Sequence, residues 1–352
     1  MNTRIQGADL SCPLPFEDGG VVQMAHGGGG RQMAQLIEGF FLPAFRSDAL
    51  TQLGDGAVLS VGRERLAFST DTFVVQPLFF PGGDIGSLAI YGTANDLAMC
   101  GAEPLGFSVG LVLEEGFAMA DLRRIVTSIA GACAQVGAPV ITGDTKVVER
   151  GKGDGIYVNT SGIGRVRNRI TVGPERAAPG DVVLVSGPVG DHGIAVMAAR
   201  HSIELGAALR SDSAPVLPLV RALLDAVPET KALRDPTRGG LATALCEIAA
   251  ASQVGMCIND AAVPIRAKVR AACELLGFDP LYVACEGRFM AIVPAAAAER
   301  ALAALRALPA GLQAQRIGEV TSTDPGRVLL RTRFGSHRRL ERLSGEQLPR
   351  IC

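Results

Sequence analysis

The sequence predicts a two-domain chain in which strands and helices are interleaved. Three observations point there. The length of 352 residues exceeds what one core usually serves. Two stretches, about 53–165 and 181–330, alternate strand-like with helix-like apolar patterns. Between them lies a turn-rich segment from Gly173-Pro174 to Pro179-Gly180. The expected division is an N-terminal arm and helix over 1–45, a first domain over 46–172, a second over 173–333, and a tail over 334–352.

In the first region, residues 66–75 read as a strand, 86–101 as a helix and 107–113 as a second strand. Leu122, Ile125, Val126, Ile129, Cys133 and Val136 recur at helical spacing, and Gly137 is placed to cap that helix. Residues 139–142 and 156–163 complete the strand set. In the second region, 182–185 and 289–293 read as strands and 241–251 as a helix. Residues 295–307 read as an Ala-rich surface helix with one buried face. Ahead of both regions, Met33, Leu36, Ile37 and Phe40 share one face of a helix that follows the run from His26 to Gly30. That glycine run reads either as a flexible arm or as a loop of backbone donors for phosphate.

Hydrophobic residues make up 48% of the chain and charged residues 20%, which is too apolar for a disordered protein. The formal net charge is -1, with both signs mixed. No basic stripe suggests nucleic acid, and no polybasic amphipathic helix suggests a membrane surface. No signal-peptide pattern opens the chain and no apolar run has bilayer length, so a soluble, cytoplasmic protein is expected. Eight cysteines stand at 12, 100, 133, 246, 257, 273, 285 and 352, none of them in a Cys-x-x-Cys pair. They read as reduced thiols, mostly buried.

Several aspartates sit at strand ends or in glycine-flanked turns: Asp55 in Leu-Gly-Asp-Gly-Ala, Asp71 in Ser-Thr-Asp-Thr, and Asp144 in Thr-Gly-Asp-Thr-Lys. Asp is depleted in strands, so Asp71 needs a reason. Asp96 lies within an apolar helix, where an unpaired carboxylate is costly. Any one of these fits an Asx-turn or a helix cap. Four together read better as a site for a hard cation such as Mg²⁺, with phosphate oxygens completing its shell. Lys146 adds a positive charge nearby. The turns at Gly143-Asp144-Thr145, 187–193 and 234–240 offer backbone amides and arginine for phosphate. His192 reads as a ligand, a phosphate contact or a structural hydrogen bonder. No Walker A sequence occurs, nor do the His-Arg-Asp and Asp-Phe-Gly landmarks of protein kinases.

Taken in order, Ser-Thr-Asp-Thr, Gly-Thr-Ala-Asn-Asp-Leu-Ala, Thr-Gly-Asp-Thr-Lys-Val, Ser-Gly-Pro-Val-Gly-Asp-His-Gly, Arg-Asp-Pro-Thr-Arg-Gly-Gly, Cys-Glu-Gly and the terminal Leu-Pro-Arg-Ile-Cys span nearly the whole chain. This set resembles the HypE family of hydrogenase maturation proteins, the carbamoyl dehydratases of [NiFe]-hydrogenase assembly. The earlier motifs are shared with aminoimidazole ribonucleotide synthetase, selenophosphate synthetase and thiamine-monophosphate kinase; the Pro-Arg-Ile-Cys terminus separates this chain from them. The resemblance implies a two-domain α+β, aminoimidazole ribonucleotide synthetase-like fold. Its N-terminal mixed sheets pair across a homodimer, its C-terminal domain is an α/β sandwich, and its tail is flexible. It implies Mg²⁺-ATP between the domains, with metal carboxylates at Asp55, Asp71, Asp96 and Asp144. Nucleotide contacts are implied at Gly143, Thr145, Asp191, His192, Asp235, Thr237 and Arg238. Many relatives carry two adjacent acids where this chain has Asp55-Gly56.

The implied reaction starts from a carbamoyl group on the sulfur of Cys352. Phosphorylating its oxygen makes a leaving group, and loss of a nitrogen proton then leaves a thiocyanate. Glu286 is the expected base and Lys146 its partner, either tuning that carboxylate or neutralising the phosphoryl group. By resemblance, a HypF-type carbamoyltransferase loads Cys352 and a HypC–HypD complex accepts the cyanide. At roughly 3.3 Å per residue, a tail of about fifteen residues spans on the order of 50 Å, and Pro349 stiffens its end. Two other readings use the same residues. A small-molecule kinase or synthetase of this fold leaves the tail without a purpose, and a non-enzymatic thiol carrier predicts no ATP hydrolysis.

Overall fold

Along residues 156–166 every second side chain is buried: Ile156, Val158, Thr160, Gly162, Gly164 and Val166 face inward while their neighbours do not. That period of two is the signature of a strand covered on one face. The computed structural model describes residues 20–202, 209–345, 348 and 350–352; expectations about residues 1–19 and Pro349 lie outside this set. The first sheet has the order β1-β2-β7-β5-β6, comprising β1 (Ala57–Val61), β2 (Glu64–Phe73), β5 (Ala102–Glu114), β6 (Val140–Val148) and β7 (Ile156–Val166). All its pairings are antiparallel except β5 with β6. A two-stranded hairpin, β3 (Phe79–Phe80) and β4 (Gly83–Asp84), stands apart.

One face of this sheet is covered by α3 (Ile85–Met99), which crosses β2, β5 and β7, with α4 (Met119–Val136) packed on α3. Asp84 caps α3, its carboxylate accepting from the N–H groups of Gly86 and Ser87. Gly137 ends α4 at φ +82°, its N–H bonded to the Cys133 carbonyl, as the spacing predicts. The other sheet face exposes Leu59, Val61, Phe68 and Ile141.

The second domain holds a seven-stranded mixed sheet in the order β14-β13-β10-β12-β8-β11-β9. Its strands are β8 (Asp181–Val185), β9 (Ala232–Arg234), β10 (Gly255–Asn259), β11 (Met290–Pro294), β12 (Gln315–Thr321), β13 (Val328–Arg331) and β14 (His337–Leu340). The helices α6 (Leu217–Ala226) and α9 (Ala298–Arg306) share one core with it, and α7 (Gly240–Ser252) lies in the other. Layers on both faces explain why β8 is buried at all five positions. The pair α5 (Asp191–Arg200) and α8 (Ala267–Leu276) packs together beside them.

The polar composition after 334 suggests a tail, yet the chain does not leave the fold there. β14 pairs antiparallel with β13, and Leu340 and Leu343 are buried. His337, Arg338 and Arg339 are exposed and Leu340 is buried, a charged edge strand anchored at one end. The arm returns to this end of the molecule through α1 (Arg31–Leu36) and α2 (Leu42–Phe45), joined by a wider turn at Ile37–Phe41. Arg31 pairs with Glu341, Arg342 with Glu38, and the Arg31 N–H donates to the Leu343 carbonyl at 2.8 Å. Two glycines permit the approach. A Cβ on Gly29, which sits at φ +73°, would lie 2.6 Å from Arg238 Cβ, and one on Gly30 would lie 2.3 Å from the Leu343 carbonyl. The apolar face expected on this arm is only partly covered, for Phe40 and Phe45 stay exposed.

The helix α3 lacks an amphipathic stripe because it is enclosed on nearly every side. Ala98 and Met99, at its end, enter the same core as Val220, Leu224 and Phe289 of the second domain. It is the element shared by both domains, and the polar cleft opens beside it.

Candidate active site

The cleft is built from four chain segments. Asp55 precedes β1, Asp71 lies near the end of β2, Asp96 on α3, and Asp235 follows β9. Asp55, Asp71, Asp96 and Asp235 line one pocket together with Thr72, Thr237, Arg238, Glu286 and Cys352. Oxygens of Asp55, Asp96 and Asp235 all lie within 4.8 Å of one another. Ser69 Oγ lies 2.5 Å from Asp96 Oδ2 and 3.0 Å from the Asp55 carbonyl. Arg234 donates from Nε to Asp55 at 3.0 Å and from Nη2 to Glu247 at 2.6 Å.

Burial sets the electrostatics. It raises the Asp55 carboxyl to about 6 even with Arg234 alongside. Burial and then the neighbouring acids push Asp96 and Asp235 well above the usual carboxylate range. Three converging oxygen donors, short of positive charge, fit a hard divalent cation, whose presence would hold all three ionised. Asp71 is also raised by burial, with Arg238 opposing.

Glu286 is buried on the loop before β11, and its Oε1 has no hydrogen-bond partner. Its carboxyl is raised far above normal, first by burial and then by Asp235, Asp212 and Asp71, against Arg238. The Cys352 thiol is pushed up to about 12 by burial, which outweighs Arg238. The last residues run into the cleft alongside residues 74–76: the Val74 N–H donates to Cys352 O at 3.1 Å and the Gln76 N–H to the Arg350 carbonyl at 3.2 Å. Ile351 is buried in the first domain's core, and Arg350 bonds the Val74 carbonyl and pairs with Asp154. A cavity of about 420 Å³ continues from here past Gly27, Gly28 and Tyr282.

Residues 53–166 match the family described as AIR synthase related protein, N-terminal domain, and residues 178–331 match its C-terminal domain. The chain is 52% identical to carbamoyl dehydratase HypE of Cupriavidus necator, with 97% of each chain covered. It is 45% identical to the HypE of Escherichia coli, over 94% of this chain and 99% of that one. The chain belongs to the HypE family. Among solved structures, a HypE in complex with ATP superposes with a TM-score of 0.80 at 45% identity, over 94% of this chain and all of that one. A HypE–HypF complex gives 0.83 at 42% identity, over 88% and 99%.

Within this HypE-family frame the expected site divides. Asp55, Asp71, Asp96, Asp235, Thr237, Arg238, Glu286 and Cys352 come together. Gly143, Asp144, Thr145 and Lys146 do not join them within one chain. They lie on β6, the far edge of the first sheet, where Lys146 pairs with Asp144 at 2.9 Å and both are about 70% exposed. Asp144 registers with Gly110, Gly110 with Asn159 and Asn159 with Thr72, so three strand steps, about 14 Å, separate it from the Asp71 end. The charge of Asp144 is balanced locally: Lys146 and the Thr145 N–H hold its carboxyl below the usual range. Asp235, expected as a nucleotide contact, joins Asp55 and Asp96 in the carboxylate cluster, which Asp144 of the same chain does not reach.

Asp191 is buried away from the pocket and pairs with Arg266 at 3.1 Å. His192 uses both ring nitrogens inside the fold, on Ser211 and on the Ile351 carbonyl, and faces the edge of Phe80. Burial lowers its pKa. The motif reading missed Arg234, Glu247 and Asn95. Arg234 and Asn95 stand inside the quoted motifs Arg-Asp-Pro-Thr-Arg-Gly-Gly and Gly-Thr-Ala-Asn-Asp-Leu-Ala, a usable signal that gave neither a role. All seven described cysteines are free thiols, and no helix among the described residues is long and apolar enough to cross a membrane.

Proposed function

We propose that this chain is a cytoplasmic, ATP-dependent carbamoyl dehydratase acting on its own terminus, turning an S-carbamoyl group on Cys352 into a thiocyanate that supplies cyanide for a [NiFe]-hydrogenase. One observation carries the reading: the last residue of the chain, a cysteine, lines the same pocket as the acidic cluster, Arg238 and Glu286. A kinase of this fold that acts on a free metabolite gives that seat no purpose. Thiamine-monophosphate kinase from Aquifex aeolicus, at 17% identity and a TM-score of 0.63, shares the fold alone.

The chemistry follows from the poor leaving ability of oxide. The carbonyl oxygen of S–C(=O)–NH₂ attacks the γ-phosphorus of ATP, ADP leaves, and one N–H proton departs to give an O-phosphorylated imidate. Breaking the C–O bond with loss of the second N–H proton yields S–C≡N and phosphate. Asp55, Asp96 and Asp235, with Asp71 beside them, would hold Mg²⁺, whose charge screens the γ-phosphate and the carboxylates around Glu286. Arg238 lines the same pocket and would offset charge on the migrating phosphoryl group. Glu286 is the nitrogen base: its unpartnered Oε1 is free to take the proton.

In this reading two copies pair through the exposed apolar face of the first sheet, and a second copy's β6 brings Asp144 and Lys146 to the nucleotide. A HypF-type transferase loads Cys352, and a HypC–HypD complex takes the cyanide. The presence of a HypE–HypF complex among the relatives supports the loading step. Intact-protein mass spectrometry tests the whole scheme. Incubation with the loading partner, carbamoyl phosphate and ATP should add a carbamoyl group to Cys352 and then remove one water. A carbamoyl adduct that never loses water with ATP present would sink it.

A further inference from the structure

Each of the last three carbonyl groups of the chain meets its own donor. The Arg350 carbonyl accepts from the Gln76 N–H at 3.2 Å and from Arg200 Nη2 at 2.7 Å. The Ile351 carbonyl accepts from His192 Nε2 at 2.8 Å, and Cys352 O from the Val74 N–H at 3.1 Å. The outer two each accept from a main-chain N–H, of Gln76 and Val74, with Arg200 adding a second donor at Arg350. The middle one depends on a side chain, and that side chain is fully buried.

A carbonyl oxygen only accepts, so the hydrogen of this ring sits on Nε2 and Nδ1 is left bare. Nδ1 lies 2.8 Å from Ser211 Oγ, so the hydroxyl hydrogen points at the ring. Ser211 Oγ accepts in turn from the Ser213 N–H at 3.0 Å, and the Ser211 N–H is fixed on the Pro81 carbonyl at 2.8 Å. Between these serines, Asp212 accepts from the main-chain N–H of Glu286 at 3.2 Å. The next residue, Gly287, lies so close that a Cβ on it would stand 1.8 Å from the Asp212 carbonyl. One three-residue loop therefore grips the end of the tail, through His192, and the backbone of Glu286 at the same time.

We propose that His192, oriented by Ser211, is the positioning residue that seats Cys352 against Glu286 by capturing the Ile351 carbonyl. The role in turnover rests on the dehydratase reading above; the seat itself does not. The physical need is register. A slip of one residue past Val74 and Gln76 would move the sulfur by about 3.3 Å, out of reach of Glu286. With both nitrogens engaged inside the chain, the ring has none left for phosphate.

The test uses the full chain. Alkylation of Cys352 by iodoacetamide, read by peptide mass spectrometry, reports how well the tail is seated and needs no catalysis. His192→Ala should speed it about 10-fold, the effect of leaving one buried carbonyl without its donor. Single-turnover dehydration of carbamoylated protein at saturating ATP should slow about as much, with ATP affinity unchanged. His192→Gln, whose Nε2 amide donates at a similar reach, should recover most of both, and Ser211→Ala should show a weaker form of the same pattern. Unchanged alkylation in the His192→Ala and Ser211→Ala variants would overturn the proposal, as would a fall in ATP affinity that accounts for the slower turnover. Should His192→Ala not fold, Ser211→Ala decides by the same two readouts. Faster alkylation in a protein that never dehydrates would uphold the seat and defeat the dehydratase reading instead.

Discussion

The side-chain amide of Asn95 donates to the main-chain carbonyl of Glu286 at 3.0 Å. It also donates to the Ala214 carbonyl at 3.1 Å, and its Oδ1 accepts from the Val216 N–H at 2.9 Å. Asn95 precedes Asp96 on α3, so the helix that brings a carboxylate to the acidic cluster also fixes the Glu286 backbone from the other domain. Every hydrogen-bonding group that Asn95 satisfies belongs to the second domain.

Replacing Asn95 by Ala would leave two carbonyls and one N–H unpaired in a buried place. We expect a loss of roughly 2–4 kcal/mol in stability, read by denaturant titration. Dehydration should fall more than ATP affinity, because the base moves while the acidic cluster stays. Stability within experimental error of the parent would mean that water replaces the amide.

Cys352→Ala should bind ATP as the parent does and form no thiocyanate, while Glu286→Gln should load normally and stall as the carbamoyl adduct. For a general base the expected loss in the dehydration rate is about 10²–10⁴-fold. Mass spectrometry separates the two outcomes. Thiocyanate on a protein without Cys352, or normal dehydration by Glu286→Gln, would remove that residue from its role.

Stability of the metal-free protein should fall as pH rises out of the acid range. Burial raises the Asp55 carboxyl from 3.8 to about 6 and lifts Asp96 and Asp235 further. Such groups stabilise the folded state below the unfolded value, and that contribution is lost as pH climbs through the folded one. A bound divalent cation reverses the preference, since it takes the ionised form. Thermal shifts on adding Mg²⁺ should therefore be larger at pH 8 than at pH 5, and Asp235→Asn should shrink them. Equal shifts at both pH values would place the cation elsewhere.

Ile141 stands 64% exposed on β6, on the open sheet face that also exposes Leu59 and Phe68. An apolar edge of this kind needs a cover. Ile141→Glu should turn a dimer into a monomer in light scattering and remove ATP-dependent dehydration, while the Mg²⁺ thermal shift persists. A variant that stays dimeric, or a monomer that still dehydrates, would refute pairing through this face.

Much of the frame was legible because it is local. Residues 66–75 and 156–163, which read as strands, fall largely in β2 and β7, and the spacing from Leu122 to Val136 with Gly137 behind it matches α4. The membership that the ordered motifs implied agrees with the relatives. The helix α3 was found from its apolar length, but its enclosure by both domains was not, since nearly uniform burial erases periodicity. The composition after 334 misled because an edge strand such as β14 carries its charges outward and reads like a polar tail.

By itself the sequence marked candidates: Asp55, Asp71 and Asp96 stand out as acids in unusual local settings, and the ordered motifs add Asp235, Arg238, Glu286 and the terminal Cys352. The tertiary structure decided which of them meet. Asp144 and Lys146 read like site residues, yet β6 carries them to the far edge of the sheet. His192 reads like a phosphate contact, yet it holds the Ile351 carbonyl, 159 residues away in the chain. Residue type and period are set by neighbours within a few positions. Convergence is set by strand order and the closing of two domains on α3, which no local pattern encodes.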